Sequence, residues 1–262
     1  MLLNIEHKTR YEYPETISGV IQSTKLTPSA YNGLKIINWD VNRSCGEDGI
    51  SYTDSQGNII KTYSNYEAIS DIEFIVFGKV ETANTNGIFT SETDKINPHS
   101  YLRNTNLTEP NSEIIDLALS SNEVSNDQIE VSHDLLINIA KVVEYTPYTT
   151  NTFTTAAESL KQKKGVCQDQ AHIMISAARY LGIPARYING YMHNNMNSSE
   201  FQSTHAWAEL FFQNLGWVGF DPTNKCCPDE RYIRVSCGLD ANYAAPIKGI
   251  TYGASSEKLK IL

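Results

Sequence analysis

The sequence is poor in positive charge, has few cysteines and lacks long apolar runs. Its 21 Lys and Arg residues stand against 30 Asp and Glu residues, and the resulting net charge of −9 argues against a nucleic-acid partner or an anionic membrane surface. No apolar run approaches the roughly 18 residues that a membrane helix needs, and the N-terminus turns polar too soon for a secretory signal. We therefore expect a cytoplasmic protein that binds neither nucleic acid nor membrane.

The cysteines fit neither a disulfide framework nor a zinc site. They are five in number and without CxxC spacing: Cys45, Cys167, Cys226, Cys227 and Cys237. Small secreted domains pair many cysteines, and zinc fingers need paired Cys or His ligands. The G-x-S-x-G, H-E-x-x-H, P-loop and G-x-G-x-x-G motifs are also missing from the sequence. We expect no metal and no organic cofactor.

The first hundred residues predict a β-rich domain. Short runs of alternating apolar and polar residues are separated by turn-forming residues, which is typical of strands. The predicted strands are Ile5 to Tyr13 (stopped by Pro14), 17–26, 36–43, 50–53, 59–63 and 67–81. The segment 54–58 is predicted to be a hairpin connection. This spacing indicates a β-sandwich-like domain, which we expect to cover residues 1–108.

Residues 109–262 carry a different pattern, after a boundary stretch rich in Asn, Thr, Pro and Ser. Helical spacing of apolar residues appears at 112–121 and 132–144, followed by a Thr155–Glu158 capping box. A further helix begins at Cys167. Strand patterns then cover 185–192, 204–212 and 216–220. Helices followed by an antiparallel sheet make the predicted fold class α+β.

Cys167 is the candidate nucleophile. It follows a glycine turn at Gly165 and begins an amphipathic helix that Gly182 and Pro184 end. A thiol at a helix N-terminus sees the positive end of the helix dipole, which favours the reactive thiolate. A buried structural cysteine is the alternative, because free cysteines are among the most buried residues. His172, on the same helix, is expected to have a packing or surface role.

His205 is the candidate base, since a catalytic thiol needs a group that accepts its proton and returns it to the leaving group. On a strand, His205, Trp207 and Glu209 share one face, while the opposite face carries Ala206, Ala208 and Leu210. The small alanines would let the cysteine helix pack closely against this strand. The alternative is a hydrogen-bonded structural histidine.

The base in turn needs a carboxylate that orients it. Asp221 ends the strand at 216–220, and Pro222 stops the ladder directly after it. Two other carboxylates are candidates for this role. Glu209 lies on the same strand face as His205, and Asp169 lies on the same helix as Cys167. We rank Asp221 first, because Asp169 is expected to point away from the thiol.

Four strings of the sequence together resemble a known family. They are Gly165-Val166-Cys167-Gln168-Asp169, the segment Leu181 to Tyr187 with Gly190-Tyr191, His205-Ala206-Trp207-Ala208-Glu209, and Gly216 to Asn224. In this order they resemble the transglutaminase-like superfamily, which has the papain-like thiol fold. The resemblance is strongest to its bacterial cysteine-protease branch with an N-terminal β domain. Residues 7–11, 26–28, 54–58 and 238–249 fit as well, so the resemblance covers nearly the whole chain.

The resemblance implies a triad of Cys167, His205 and Asp221 and a papain-like core in which the cysteine helix packs on an antiparallel sheet. Two positions depart from the branch, which commonly has an aromatic residue where this chain has Gln170 and an arginine where it has Leu239. Neither position belongs to the triad, so we expect activity to survive.

We therefore expect a thiol acyl-transfer enzyme, a cysteine protease or amidase that acts on a peptide or protein substrate. A protein-glutamine transglutaminase is an alternative, because water or an amine can resolve the same thioester. A non-catalytic peptide-binding module is another. The calcium pattern D-x-[DN]-x-[DN]-G is missing, which favours hydrolysis. We expect Trp207, Tyr191 and Tyr145 to bind substrate, with a mobile loop from His193 to Ser203 beside them.

Overall fold

The computed structural model describes residues 1–123, 125–193, 204–253 and 258–261. Its helices are α1 (Ser112–Asn122), α2 (Gln128–Val142), α3 (Ala156–Gln162) and α4 (Cys167–Tyr180), with a 3-10 turn at Pro98–Leu102. Its strands are β1 (Leu2–Ile17), β2 (Gly19–Thr27), β3 (Leu34–Arg43), β4 (Glu47–Thr53), β5 (Ile59–Asn65), β6 (Ile69–Thr82), β7 (Ile88–Phe89), β8 (Glu144–Tyr145), β9 (Lys164–Gly165), β10 (Ala185–Met192), β11 (His205–Phe212), β12 (Gly216–Phe220), β13 (Tyr232–Gly238), β14 (Ile247–Tyr252) and β15 (Lys258–Ile261). Within these ranges, no helix is long and apolar enough to span a bilayer.

The N-terminal strands form two four-stranded sheets, in the orders β15-β1-β6-β3 and β14-β2-β5-β4. Apolar residues from both sheets meet in one buried cluster, which includes Ile17, Leu26, Tyr63 and Phe74. The predicted sandwich is therefore confirmed, and β4 and β5 pair across the predicted hairpin. Buried positions alternate with more exposed ones along most of β1, β2 and β6, which is why the sequence pattern was informative.

Pro14 does not end the first strand, contrary to the sequence prediction. β1 continues through it to Ile17, and the β1–β6 register shifts between Glu12 and Ile17. A proline cannot donate to a ladder, but it is tolerated at a bulge where the regular pairing is interrupted. The irregular register absorbs the missing N–H.

The C-terminal half contains a five-stranded antiparallel sheet in the order β13-β10-β11-β12-β7. Helix α4 packs on it, and its Ala171 and Ile175 share a buried cluster with Ala206, Ala208 and Leu210 of β11. The close approach of α4 to the alanine face of β11 confirms the predicted packing. α4 ends in a Schellman arrangement, in which Ile183 N–H donates to Ala178 O at 2.9 Å.

Strand pairing crosses the predicted boundary after residue 108. β7 joins the C-terminal sheet beside β12, whereas β14 and β15 return to the two sheets of the sandwich. The division into 1–108 and 109–262 stays a prediction. Helix α2 begins at Gln128, four residues before the predicted start, because the Asp127 side chain caps it by accepting from Ile129 N–H at 2.8 Å.

Candidate active site

Cys167 is the first residue of α4, as the sequence predicts, and is partly buried. Asp169 fixes the start of this helix: its Oδ2 accepts from Val166 N–H at 2.7 Å and from Thr150 Oγ1 at 2.7 Å. A side chain at Gly165 would meet Asp169 Cβ at 2.7 Å, so glycine is required there. Asp169 therefore fixes the backbone directly before Cys167.

His205 begins β11 and lies near both of its predicted partners. Its Nε2 lies 2.6 Å from Asp221 Oδ2, and the Cys167 side chain is close enough to raise the pKa of the imidazole. Because Nε2 is engaged by the carboxylate, Nδ1 is the ring nitrogen left for the thiol. The imidazole is 2% exposed.

Asp221 follows β12 and is fully buried. Its backbone N–H donates to Cys226 O at 2.9 Å, which closes a tight turn after the strand. Besides His205, its carboxylate accepts from Asn224 Nδ2 at 2.7 Å, from Asn224 N–H at 3.2 Å and from the Tyr232 hydroxyl at 2.8 Å. Hydrogen bonds thus replace the water that burial removes.

The charges of these groups depend on one another. Burial alone would lower the pKa of His205, but hydrogen bonds to Asp221 and Cys167, together with their charges, raise it to about 10. Burial would raise the pKa of Asp221, but the hydrogen bond and charge of His205, with the donors Asn224 and Tyr232, lower it. At neutral pH the site therefore holds an imidazolium beside a carboxylate and can stabilise a thiolate.

Glu209, the first rival for the orienting role, lies in a separate ion network. Its carboxylate accepts from Arg186 Nε at 2.7 Å and from Arg234 Nε at 3.1 Å, and Arg186 also pairs with Asp94. All four side chains are largely buried. Arg186 lies over the ring of Trp217 at 3.8 Å. Glu209 is thus engaged by two arginines, and the carboxylate that His205 binds is that of Asp221.

The three residues predicted to bind substrate lie in different environments. Trp207 is 2% exposed and stacks on His205 with centroids 6.2 Å apart, so it supports the imidazole from behind. Tyr191 is buried where the sheet meets the sandwich, with its hydroxyl 2.9 Å from His7 Nδ1. Neither offers a surface to a substrate.

Tyr145 does lie beside the thiol. It is 41% exposed, and β8 pairs it with Gly165, two residues before Cys167. Burial and then the charge of Cys167 raise the pKa of its phenol, in keeping with this proximity. The predicted loop from His193 to Ser203 lies outside the described residues, except for His193 itself.

Two further residues of α4 have structural partners. His172 is fully buried, accepts from Ala241 N–H at 3.1 Å and packs against Tyr187, in agreement with the predicted packing role. Gln170 accepts from Thr223 Oγ1 at 2.8 Å and donates to Val143 O at 2.8 Å. The position that departs from the branch thus ties α4 to the turn that carries Asp221.

Sequence reasoning missed Asn224 and Tyr232. Asn224 lies inside the string Asp221-Pro222-Thr223-Asn224, so its closeness to the carboxylate could have been inferred from the turn. Tyr232 is eleven residues beyond Asp221 and belongs to β13, a strand that the sequence analysis did not identify. Only the tertiary structure brings it to the site.

Known proteins resemble this chain in sequence and in fold. A family model described as "Transglutaminase-like superfamily" matches residues 118–222, and one described as "Bacterial transglutaminase-like N-terminal region" matches residues 3–81. A solved structure described as a "Putative Cysteine Protease from Cytophaga hutchinsonii" shares the fold with a TM-score of 0.73 and 18% identity, over 100% of this chain and 92% of that one.

The curated relatives include proteins of two mycobacteria. An uncharacterized protein of Mycobacterium leprae is 36% identical over 124 residues, which is 46% of this chain and 44% of that protein, so the match spans less than half of the relative. An uncharacterized protein of Mycobacterium tuberculosis is 26% identical over 97% of this chain and 89% of its own length. Residues 3–81 thus carry the bacterial transglutaminase-like N-terminal region and residues 118–222 the core of the transglutaminase-like superfamily.

Proposed function

We propose that the protein is a thiol acyl-transfer enzyme, a cysteine protease or amidase that cleaves a peptide or amide bond through Cys167, His205 and Asp221. One observation carries the proposal: a single buried imidazole binds Asp221 at 2.6 Å and lies near enough to Cys167 for that side chain to raise its pKa. A thiol, a base and an orienting carboxylate in this order are what nucleophilic catalysis by cysteine requires.

In the proposed reaction the Cys167 thiolate attacks the substrate carbonyl carbon. The backbone N–H of Cys167, in the first turn of α4 where the helix offers no acceptor, stabilises the oxyanion together with a second donor. The His205 imidazolium then gives its proton to the leaving amine, the C–N bond breaks and a thioester forms. Water attacks the thioester, His205 accepts its proton, and the released thiolate restores the pair with the imidazolium.

The second step could use an amine in place of water, which would make the protein a transglutaminase. A relative from Pseudomonas aeruginosa named "Protein-glutamine gamma-glutamyltransferase", 30% identical over 101 residues, supports this second candidate, although the match covers only 15% of that protein. We prefer hydrolysis, because the sequence carries no recognisable calcium loop and no feature that suggests a dedicated amine site.

The nucleophile is tested by alkylation with one equivalent of iodoacetamide at neutral pH, followed by mapping of the adduct. We expect Cys167 to react well before Cys45, Cys226, Cys227 and Cys237. Burial raises the pKa of Cys227 to about 11, so this thiol is a slow internal reference. Equal labelling of all five cysteines would remove the basis of the proposal.

The reaction is tested by mass spectrometry of the protein after exposure to a cellular peptide pool. We expect an acyl adduct on Cys167 that disappears in Cys167→Ala and persists in Cys45→Ala, the matched control in the sandwich. Turnover of this adduct without amine indicates a hydrolase, and turnover only with a primary amine indicates a transferase. An inert Cys167, with peptide binding unchanged by its replacement, would instead indicate a non-catalytic binding module.

A further inference from the structure

One oxygen of the Asp221 carboxylate is crowded with donors. Oδ2 accepts from His205 Nε2 at 2.6 Å, from Asn224 Nδ2 at 2.7 Å and from the Tyr232 hydroxyl at 2.8 Å, whereas Oδ1 accepts from Asn224 N–H at 3.2 Å. Asn224 therefore holds both oxygens and fixes the rotation of the carboxylate. Tyr232 approaches the same oxygen that the imidazole uses.

The direction of the hydrogen bonds through Tyr232 follows from its neighbours. An ionised carboxylate only accepts, so the single phenolic proton of Tyr232 points at Asp221 Oδ2. Cys226 Sγ lies 3.4 Å from the same phenolic oxygen, which leaves the thiol as the donor of that contact. The chain runs from Cys226 S–H through Tyr232 O–H to Asp221, and each bond polarises the next.

The tyrosine ring is held rigidly at this position. Tyr232 is 4% exposed, its ring meets Trp207 edge-on with centroids 5.4 Å apart, and its centroid lies 6.0 Å from that of His205. β13 pairs it with Met192 of β10. The packing fixes the ring, and with it the position of the hydroxyl beside Asp221.

We propose that Tyr232 is a positioning residue of the active site, which keeps Asp221 ionised and aimed at His205 through its hydroxyl. The inference rests on the proposed function, in which Asp221 must orient the imidazole as a carboxylate. Among the described residues, Tyr232 contacts Asp221, Cys226 and the rings of His205 and Trp207, but not the Cys167 thiol. Loss of its hydroxyl should therefore change the titration of Asp221 without removing the nucleophile.

The test is Tyr232→Phe, which retains the ring and its packing but loses the hydroxyl. We expect the titration midpoint of the Asp221 carboxyl to move to higher pH. Carbon NMR follows this titration, and the Asp221→Asn variant identifies the Asp221 signal. We also expect kcat to fall about ten-fold with little change in KM. The free energy of one hydrogen bond to a charged group corresponds to roughly this change in rate. Tyr63→Phe, which removes a hydroxyl from the buried cluster of the sandwich, is the matched control and should change neither quantity.

An unmoved Asp221 midpoint in folded Tyr232→Phe overturns the inference, even if kcat falls, because the residue then acts by packing alone. Should this variant fail to fold, Cys226→Ala removes the thiol that polarises the Tyr232 hydroxyl, and it should move the midpoint in the same direction by less. No shift there overturns the inference as well. The NMR titration needs no turnover, so it decides the role of Tyr232 even if Cys167 proves inert and the proposed function fails.

Discussion

His205 Nε2 lies 2.6 Å from Asp221 Oδ2, with both side chains almost completely buried. Burial by itself disfavours both the imidazolium and the carboxylate. Each charge stabilises the other, however, and together with the influence of Cys167 this raises the pKa of His205 to about 10. The imidazolium form of His205 therefore depends on a carboxylate sixteen residues away in the chain.

Asp221→Asn should remove the charge that sustains the imidazolium. Burial, which lowers the pKa of His205, then acts with much less opposition, and the thiolate of Cys167 loses its counter-charge. We expect alkylation of Cys167 at pH 7 to slow at least ten-fold, on the order of one charge-assisted hydrogen bond. The difference from wild type should narrow above the ordinary thiol pKa of about 8.5, where hydroxide supplies the thiolate. An unchanged rate at pH 7 would show that Asp221 does not activate the pair.

Glu209→Gln should destabilise the fold without altering the thiol. The change leaves Arg186 and Arg234 with an uncompensated buried positive charge, at a cost of about 3–5 kcal/mol in the free energy of unfolding. Urea unfolding measures this loss, and Glu81→Gln, which breaks an exposed pair with Lys35, is the control with an expected cost below about 1 kcal/mol. In the folded fraction of Glu209→Gln, the pH profile of Cys167 alkylation should match wild type. A shifted profile would give Glu209 the orienting role.

Asp169→Ala should loosen the start of α4. The variant loses the acceptor for Val166 N–H, and caps of this kind contribute about 1–2 kcal/mol to the free energy of unfolding. Asn111→Ala removes the cap of α1 and should cost a similar amount. Only the Asp169 variant should slow alkylation of Cys167, because only that cap holds the thiol. Equal alkylation rates in the two variants would contradict the assigned role.

Two buried histidines should make the protein sensitive to mild acid. Burial lowers the pKa of both His7 and His172 to about 4. The unfolded chain binds these protons near pH 6.5 and the folded chain only near pH 4, so stability is lost as pH falls through that window, by about 3 kcal/mol per histidine. His172→Gln, whose side-chain oxygen can still accept from Ala241 N–H, should lose less stability between pH 7 and pH 5.

The control variant for this acid effect is His99→Gln. His99 is exposed, so its replacement should leave the pH dependence of urea unfolding unchanged. If His172→Gln and wild type lose stability in parallel from pH 7 to pH 5, the buried neutral state of His172 is not the cause.

The sequence predicted most of the local structure because local rules produced it. The alternation of β2 and β6, the capping box of α3 and the glycine that ends α4 all act within a few residues. The prediction failed at Pro14, where a bulge accommodates the proline, and at the start of α2, where the cap of Asp127 was overlooked. β13 was missed although Ile233, Val235 and Cys237 alternate with Arg234 and Ser236, and the structure buries all of its residues.

The sequence by itself determined the class of the fold, the start of the cysteine helix and which thiol, imidazole and carboxylate to examine. The tertiary structure decided their environment. It buried Trp207 behind His205, bound Glu209 to two arginines and brought Tyr232 from a distant strand to Asp221. The physical reason is that motifs record neighbours along the chain, whereas burial, desolvation and hydrogen bonding depend on which strands the sheet sets side by side.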